Sequence, residues 1–256
     1  MMKRAMITVL GLCVLCTTAY GDEEKGDELT DPIAILKKAD AASKAVKAVK
    51  YKVTLKGTEG AALTMPEVEG TVIMTGWSQR TNRTPQKFRC EAKVKQPGSS
   101  EVVEITVGSD GKTFYAVDHK AMKAYADGNP AVMGRKTGPP AQNLMMLEFV
   151  YPTPFSDEIG GKDQKLKGSK KIGDEDCYEI YLNYGRVSQE AIWYFSKKDF
   201  LPRGVRRVRP YPPAGKKGGE EWMLTDLVVD PTFDEEKDPF KFDLPEGYTK
   251  MDTYAP

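Results

Sequence analysis

A single histidine, His119, stands in 256 residues, inside an Asp118-His119-Lys120 turn. A histidine acting as general base needs a nucleophile and an orienting carboxylate converging on it, and the surroundings of His119 read as an exposed hairpin end. Beyond residue 21 the only cysteines are Cys90 and Cys177, so a closed zinc site, built from several Cys and His ligands, has no source. Neither a Gly-rich phosphate loop ending in Lys-Ser/Thr nor a nucleophile elbow is present in the sequence. Carboxylates are plentiful, but a pair working across a glycosidic bond has no recognisable spacing. The expectation is a protein without catalytic residues, metal or cofactor.

Two further groups carry chemistry. In an oxidising compartment Cys90 and Cys177 can pair, a link worth about 4–5 kcal/mol for so long a loop. Cys90 shares its face with Phe88 and Ala92, however, whereas Cys177 shares its parity with Glu179 and Tyr181, which leaves buried free thiols as the other reading. Arg203, Arg206, Arg207 and Arg209 cluster, and we read them as a strand with a solvated face ending in a basic loop.

The chain that positions these residues begins Met-Met-Lys-Arg and then runs apolar from Ala5 to Cys16. A basic head and a short apolar core, with Ala19 and Gly21 flanking Tyr20, predict a signal peptide over residues 1–21. Cys13 and Cys16 follow leucines, where lipid attachment wants a small residue. Losing Lys3 and Arg4 takes the formal charge from +1 to −1, a balance that argues against nucleic acid as partner. Residues 22–30 are acidic and predicted to be a flexible leader, with a single domain over 31–256.

Asp31 and Pro32 signal a helix start, and Ile33, Leu36, Ala39, Ala42 or Ser43, and Val46 recur at helical spacing over about five turns. From Tyr51 the period becomes two, and strands are predicted at 71–77, 88–94, 102–107, 113–117, 177–182, 191–195, 204–209 and 221–229. Asp110-Gly111 supplies a tight hairpin turn between two of them. The stretch Ala141–Val150 is apolar on nearly every side and reads as a helix, either buried core or a lid over a greasy cavity. The predicted class is mainly β (α+β): about eight to ten strands in a large curved antiparallel sheet or half-barrel, wrapped around the N-terminal helix and a short lid helix.

Three stretches together resemble the LolA-like superfamily, the outer-membrane lipoprotein carriers and their periplasmic relatives. They are Ser-Asp-Gly-Lys-Thr-Phe-Tyr at 109–115, the run from Gly70 through Trp77 to Arg83, Pro85, Phe88 and Arg89, and Asp238-Pro239-Phe240-Lys241-Phe242 with Pro245 and Gly247. The resemblance implies a periplasmic or secreted, non-enzymatic carrier whose half-barrel holds acyl chains, a lipid or a lipidated protein. Arg83 is the nearest match to the arginine that latches the lid in those carriers, although Thr84 intervenes before Pro85. Candidate cavity and lid residues are Arg83, Trp77, Phe88, Leu144, Met145, Leu147 and Phe149. Membrane-associated donor and acceptor proteins would be the partners of a monomer. The alternative is a non-catalytic envelope sensor or protein-interaction module on the same fold.

Overall fold

The structure is a computed structural model and describes residues 29–78, 84–134, 138–185, 189–211, 216–233 and 238–251. The predicted signal peptide and most of the predicted leader lie outside the described residues. Helix α1 (Pro32–Ala45) starts where the sequence says: the Asp31 carboxylate accepts from the Ile33 amide at 3.0 Å, satisfying an end donor, and proline sits in the first turn. It ends sooner than its periodicity suggests. Val46 is extended, and the Asp230 carboxylate takes the next two amides, Lys47 and Ala48, at 2.8 and 2.9 Å. This staple commits the chain to strand.

Six strands follow, β1 (Ala48–Glu59), β2 (Glu67–Trp77), β3 (Pro85–Lys95), β4 (Val102–Ser109), β5 (Phe114–Asp118) and β6 (Lys123–Asp127). After the short helices α2 (Gly138–Gln142) and α3 (Ser156–Ile159) come β7 (Asp163–Ile172), β8 (Glu175–Asn183), β9 (Glu190–Ser196), β10 (Pro202–Tyr211), β11 (Lys216–Val229) and β12 (Thr249–Met251). They form one unclosed 12-stranded sheet in the order β12-β6-β5-β4-β3-β2-β1-β11-β10-β9-β8-β7. Neighbours are antiparallel throughout, except that β12 runs parallel to β6. The fold is therefore mainly β, a large curved half-barrel, as the sequence predicts. Three strands, β6, β7 and β12, are additional to the predicted set.

One face of this sheet is the core. Tyr51, Val53 and Leu55 alternate inward from β1, Phe88 and Cys90 from β3, and Trp193 and Phe195 from β9, all packed in a single cluster with Ile35, Leu36 and Ala39 of α1. Full burial of each large apolar side chain is worth about 1.5–3 kcal/mol, so this face holds most of the folding energy. Gly70 on β2 is obligatory for the packing. A Cβ there would lie 2.1 Å from the Glu91 carbonyl oxygen and 2.8 Å from Leu144 Cδ1.

The predicted helix over 141–150 is a correction. Only α2 is helical. Met146 is extended (φ −85°, ψ 92°), and a 3-10 turn over Leu147–Phe149 follows. The apolar sequence is compatible with a buried helix, but the backbone makes short local turns, and the Asn143 and Leu144 carbonyls and the Met146 amide bond to side chains of the sheet.

Cys90 and Cys177 are both free and fully buried. Cys90 belongs to the main core, whereas Cys177 packs on the opposite face with Ile172 and Tyr194, so bonding geometry is out of reach. Burial pushes both thiols up, that of Cys177 to about 11, and a protonated thiol is inert. We expect non-reducing mass mapping to return two free thiols and a reductant to leave the unfolding midpoint unchanged. A mapped Cys90–Cys177 peptide pair would contradict this arrangement.

Within the arginine cluster Arg203, Arg206 and Arg207 make separate ion pairs, and the Arg209 side chain lies outside the described residues. Arg203 is only 5% exposed and is held by Glu175 at 2.8 Å and Asp199 at 2.7 Å, while Arg206 meets Glu59 at 2.7 Å. Arg203 is thus a buried structural cation, unlike the solvated face read from sequence.

Candidate functional site

The residues from the end of α2 through the 3-10 turn, 143–149, form a plug that lies in the half-barrel. Leu144 and Phe149 are 0% and 1% exposed, Met146 is 4% exposed, and all three join the core cluster with Phe88. The Phe149 ring meets that of Tyr51 at 5.8 Å. Met145 and Leu147 are half-buried. Trp77, also half-buried, makes an edge-on contact with Tyr151 at 4.6 Å, at the chain's exit from the plug. Arg83 lies outside the described residues. The structure thus brings Phe88, Leu144 and Phe149 together and places Met145 and Leu147 beside them.

What fastens the plug is a set of polar side chains that the sequence reading did not single out. The Tyr51 hydroxyl donates to the Leu144 carbonyl at 3.1 Å and accepts from the Met146 amide at 2.8 Å. Trp222 Nε1 on β11 donates to the Asn143 carbonyl at 2.7 Å. Arg207 on β10 lies 4.9 Å over the Trp222 ring and reaches Glu148 of the plug at 3.0 Å. A usable signal did exist. Tyr51 and Trp222 stand at inward positions of alternating strands, and a buried phenol or indole needs a hydrogen-bond partner.

Beside the plug opens a pocket of about 830 Å³, lined by Glu148, Tyr151, Glu158, Tyr184, Arg207 and Glu220 among others. Its walls mix polar and apolar groups, whereas the greasy side chains of the plug join the core on the sheet. Glu158 on α3 is 6% exposed and its Oε1 accepts from Tyr184 Oη at 2.8 Å. Burial raises its carboxyl to about 7, against the opposing pull of that hydrogen bond. Tyr184 is itself pushed up, by burial first and by the Glu158 charge next.

His119 is half-buried and engaged at both nitrogens, by Thr106 Oγ1 and Tyr248 Oη, each at 2.9 Å. It ties the C-terminal segment to β4, where the sequence suggested an exposed hairpin end.

No protein-family model and no curated protein matches the chain. Among solved structures it is similar to LprF from Mycobacterium bovis, at 11% identity over 87% of this chain and 100% of that one, with TM-score 0.49. It is similar to the MucA/MucB complex of Pseudomonas aeruginosa, at 10% identity, 81% of this chain, 60% of that chain and TM-score 0.41. A LolA superfamily protein from Nitrosomonas europaea matches at 12% identity over 84% and 99% of the two chains, TM-score 0.33. The last of these bears the name of the superfamily that the sequence resembles.

Proposed function

We propose that this protein is a non-catalytic carrier of an amphiphile bearing an acyl chain, which enters the half-barrel by displacing the plug. The observation that supports this reading is the way residues 143–149 occupy the concave face, with apolar side chains on the sheet and two consecutive carbonyls, those of Asn143 and Leu144, on donors from the barrel wall. If the plug leaves, the Tyr51 hydroxyl and the Trp222 indole lose their acceptors, and a buried unpaired donor costs about 1–3 kcal/mol. An incoming hydrocarbon does not repair that loss. An acyl ester or amide does, because it offers a carbonyl at the head of an apolar chain. Arg83, Trp77, Phe88, Leu144, Met145, Leu147 and Phe149 are the proposed cavity and lid residues, together with Tyr51 and Trp222.

The basic-apolar N-terminus supports export and cleavage after Gly21, which would place the carrier in a periplasm or outside the cell as a monomer exchanging cargo with membrane-associated proteins. Among the described residues no helix is long and apolar enough to cross a membrane. N-terminal sequencing of the exported protein is expected to begin at Asp22.

Carriage is tested by lipid mass spectrometry of natively purified protein and by titration with the neutral fluorophore 1-N-phenylnaphthylamine. A bound acyl lipid, or saturable fluorescence that the lipid displaces, is the expected result. The filled interior favours a second reading, an envelope sensor or interaction module whose plug never leaves. Absence of any bound amphiphile, together with a stable protein partner recovered in stoichiometric amount, would replace carriage with that reading.

A further inference from the structure

We propose that opening of the half-barrel is proton-coupled: the carboxyl of Glu158, in the wall of the open pocket, governs how firmly Arg207 holds Glu148 of the plug. What the opening admits rests on the carriage reading above, while the switch itself rests on the geometry of the pocket.

Two carboxyls and one cation meet there. Arg207 sits 4.9 Å over the Trp222 ring and 5.8 Å over the Trp193 ring, with Nη2 3.0 Å from Glu148 Oε1. Trp222 is the residue that binds the Asn143 carbonyl, so Arg207 and the indole hold the plug side by side. Glu158 is reached through the same aromatic wall, since Trp193 Nε1 donates to Tyr184 Oη at 3.4 Å and Tyr184 Oη donates to Glu158 Oε1. The charges of both Glu148 and Arg207 act on Glu158. While Glu158 is neutral, Arg207 keeps its bond to Glu148 and the plug stays down. Once ionised, Glu158 repels Glu148 across the pocket and draws on the same guanidinium, which favours release of the plug.

Further carboxyls share the pocket with Glu158. Glu190 of β9 and Glu220 of β11 line the pocket, as do Asp157 on α3 itself and Tyr151 beyond the plug. From α1, Asp40 is paired with Lys44 at 2.5 Å and accepts from the Phe155 amide. Arg207 is the only cation lining the pocket among the described residues. Burial raises the Glu158 carboxyl to about 7, so the charge appears in the neutral range and not in acid. The folded value lies above the unfolded one. Glu158 therefore favours the closed fold most at low pH, and that contribution is lost as the pH rises through about 7.

Hydrogen–deuterium exchange of the peptides covering 142–150, corrected for intrinsic rates, reads the opening at pH 6 and pH 8 in the processed chain. Titration with 1-N-phenylnaphthylamine, which does not itself ionise in that range, reads entry. A coupling near one pKa unit is tenfold, so opening and probe affinity are each expected to rise about five- to tenfold from pH 6 to pH 8 in the wild type. Glu158→Gln, which keeps an acceptor for Tyr184 but cannot ionise, is expected to hold the pH 6 value at both. Tyr184→Phe removes a bond that favours the ionised form and should move the midpoint to higher pH. Equal exchange at the two pH values in the wild type, or an unchanged ratio in Glu158→Gln, overturns the switch. If the probe binds at no pH, carriage fails, and the exchange data still decide whether the plug is proton-coupled.

Discussion

Replacing Trp193 by alanine is expected to cost about 3–5 kcal/mol of folding stability, the largest loss from any single side chain of the barrel wall. Trp193 is fully buried. It lies nearly parallel to Phe195 at 5.7 Å and is met edge-on by Phe155 at 5.2 Å, the residue that leads from the plug into α3. Removing the indole opens a void that rings on both strand and loop have to line, and the surrounding sheet cannot collapse into it. The Tyr184 hydroxyl also loses its indole donor, and Arg207 loses one of its two aromatic neighbours. Denaturant unfolding of the variant is the measurement, read as a midpoint shift with the slope unchanged. Trp193→Phe, which keeps the stacking but drops the indole donor, should lose less than half as much. A shift of under about 1 kcal/mol for the alanine variant would mean that the wall is not built around this ring.

Tyr51→Phe is expected to cost about 2–4 kcal/mol, because it orphans two buried backbone groups at once. Tyr51 is 1% exposed, and its hydroxyl is the partner of both the Leu144 carbonyl and the Met146 amide. Its ring contributes the same packing against Phe149 with or without the oxygen, so the change isolates the latch from the core. The loss should fall on the plug before it falls on the sheet. Exchange protection of residues 144–149 is expected to drop while that of β1 and β2 is kept, and 1-N-phenylnaphthylamine should bind more tightly because less of its binding energy is spent on opening. Unaltered exchange across the plug would show that the hydroxyl fastens nothing there.

Much of the scaffold is legible before folding. Alternation in Tyr51, Val53 and Leu55, and in Phe88, Cys90, Ala92 and Val94, identifies strands and their inward faces, because a strand half in water must repeat every second residue. Strand β7 was missed for the same physical reason. It forms one edge of the sheet, carries Lys165, Lys167, Lys170 and Lys171, and holds Gly168 at φ +125°, so neither face is consistently apolar. Only its pairing with β8 makes it a strand. The short strands β6 and β12 give too few residues for a period to emerge.

The candidate site divides along the same line. That the stretch after Ala141 had to be covered on nearly every side followed from its composition, since so many apolar side chains in a row have no polar face to offer water. Its irregular path did not follow, because that depends on Tyr51, Trp222 and Arg207, which are at least 93, 79 and 59 positions away from the backbone and side-chain groups they bind. The chain alone determined a β-rich shell with a helix at its start and a greasy segment in its middle, all properties of local periodicity and composition. Tertiary structure decided that the greasy segment fills the shell as an unravelled plug, and that Arg207 meets Glu148 in a pocket whose wall also holds Glu158, because hydrogen bonds and charges act between groups that only folding brings together.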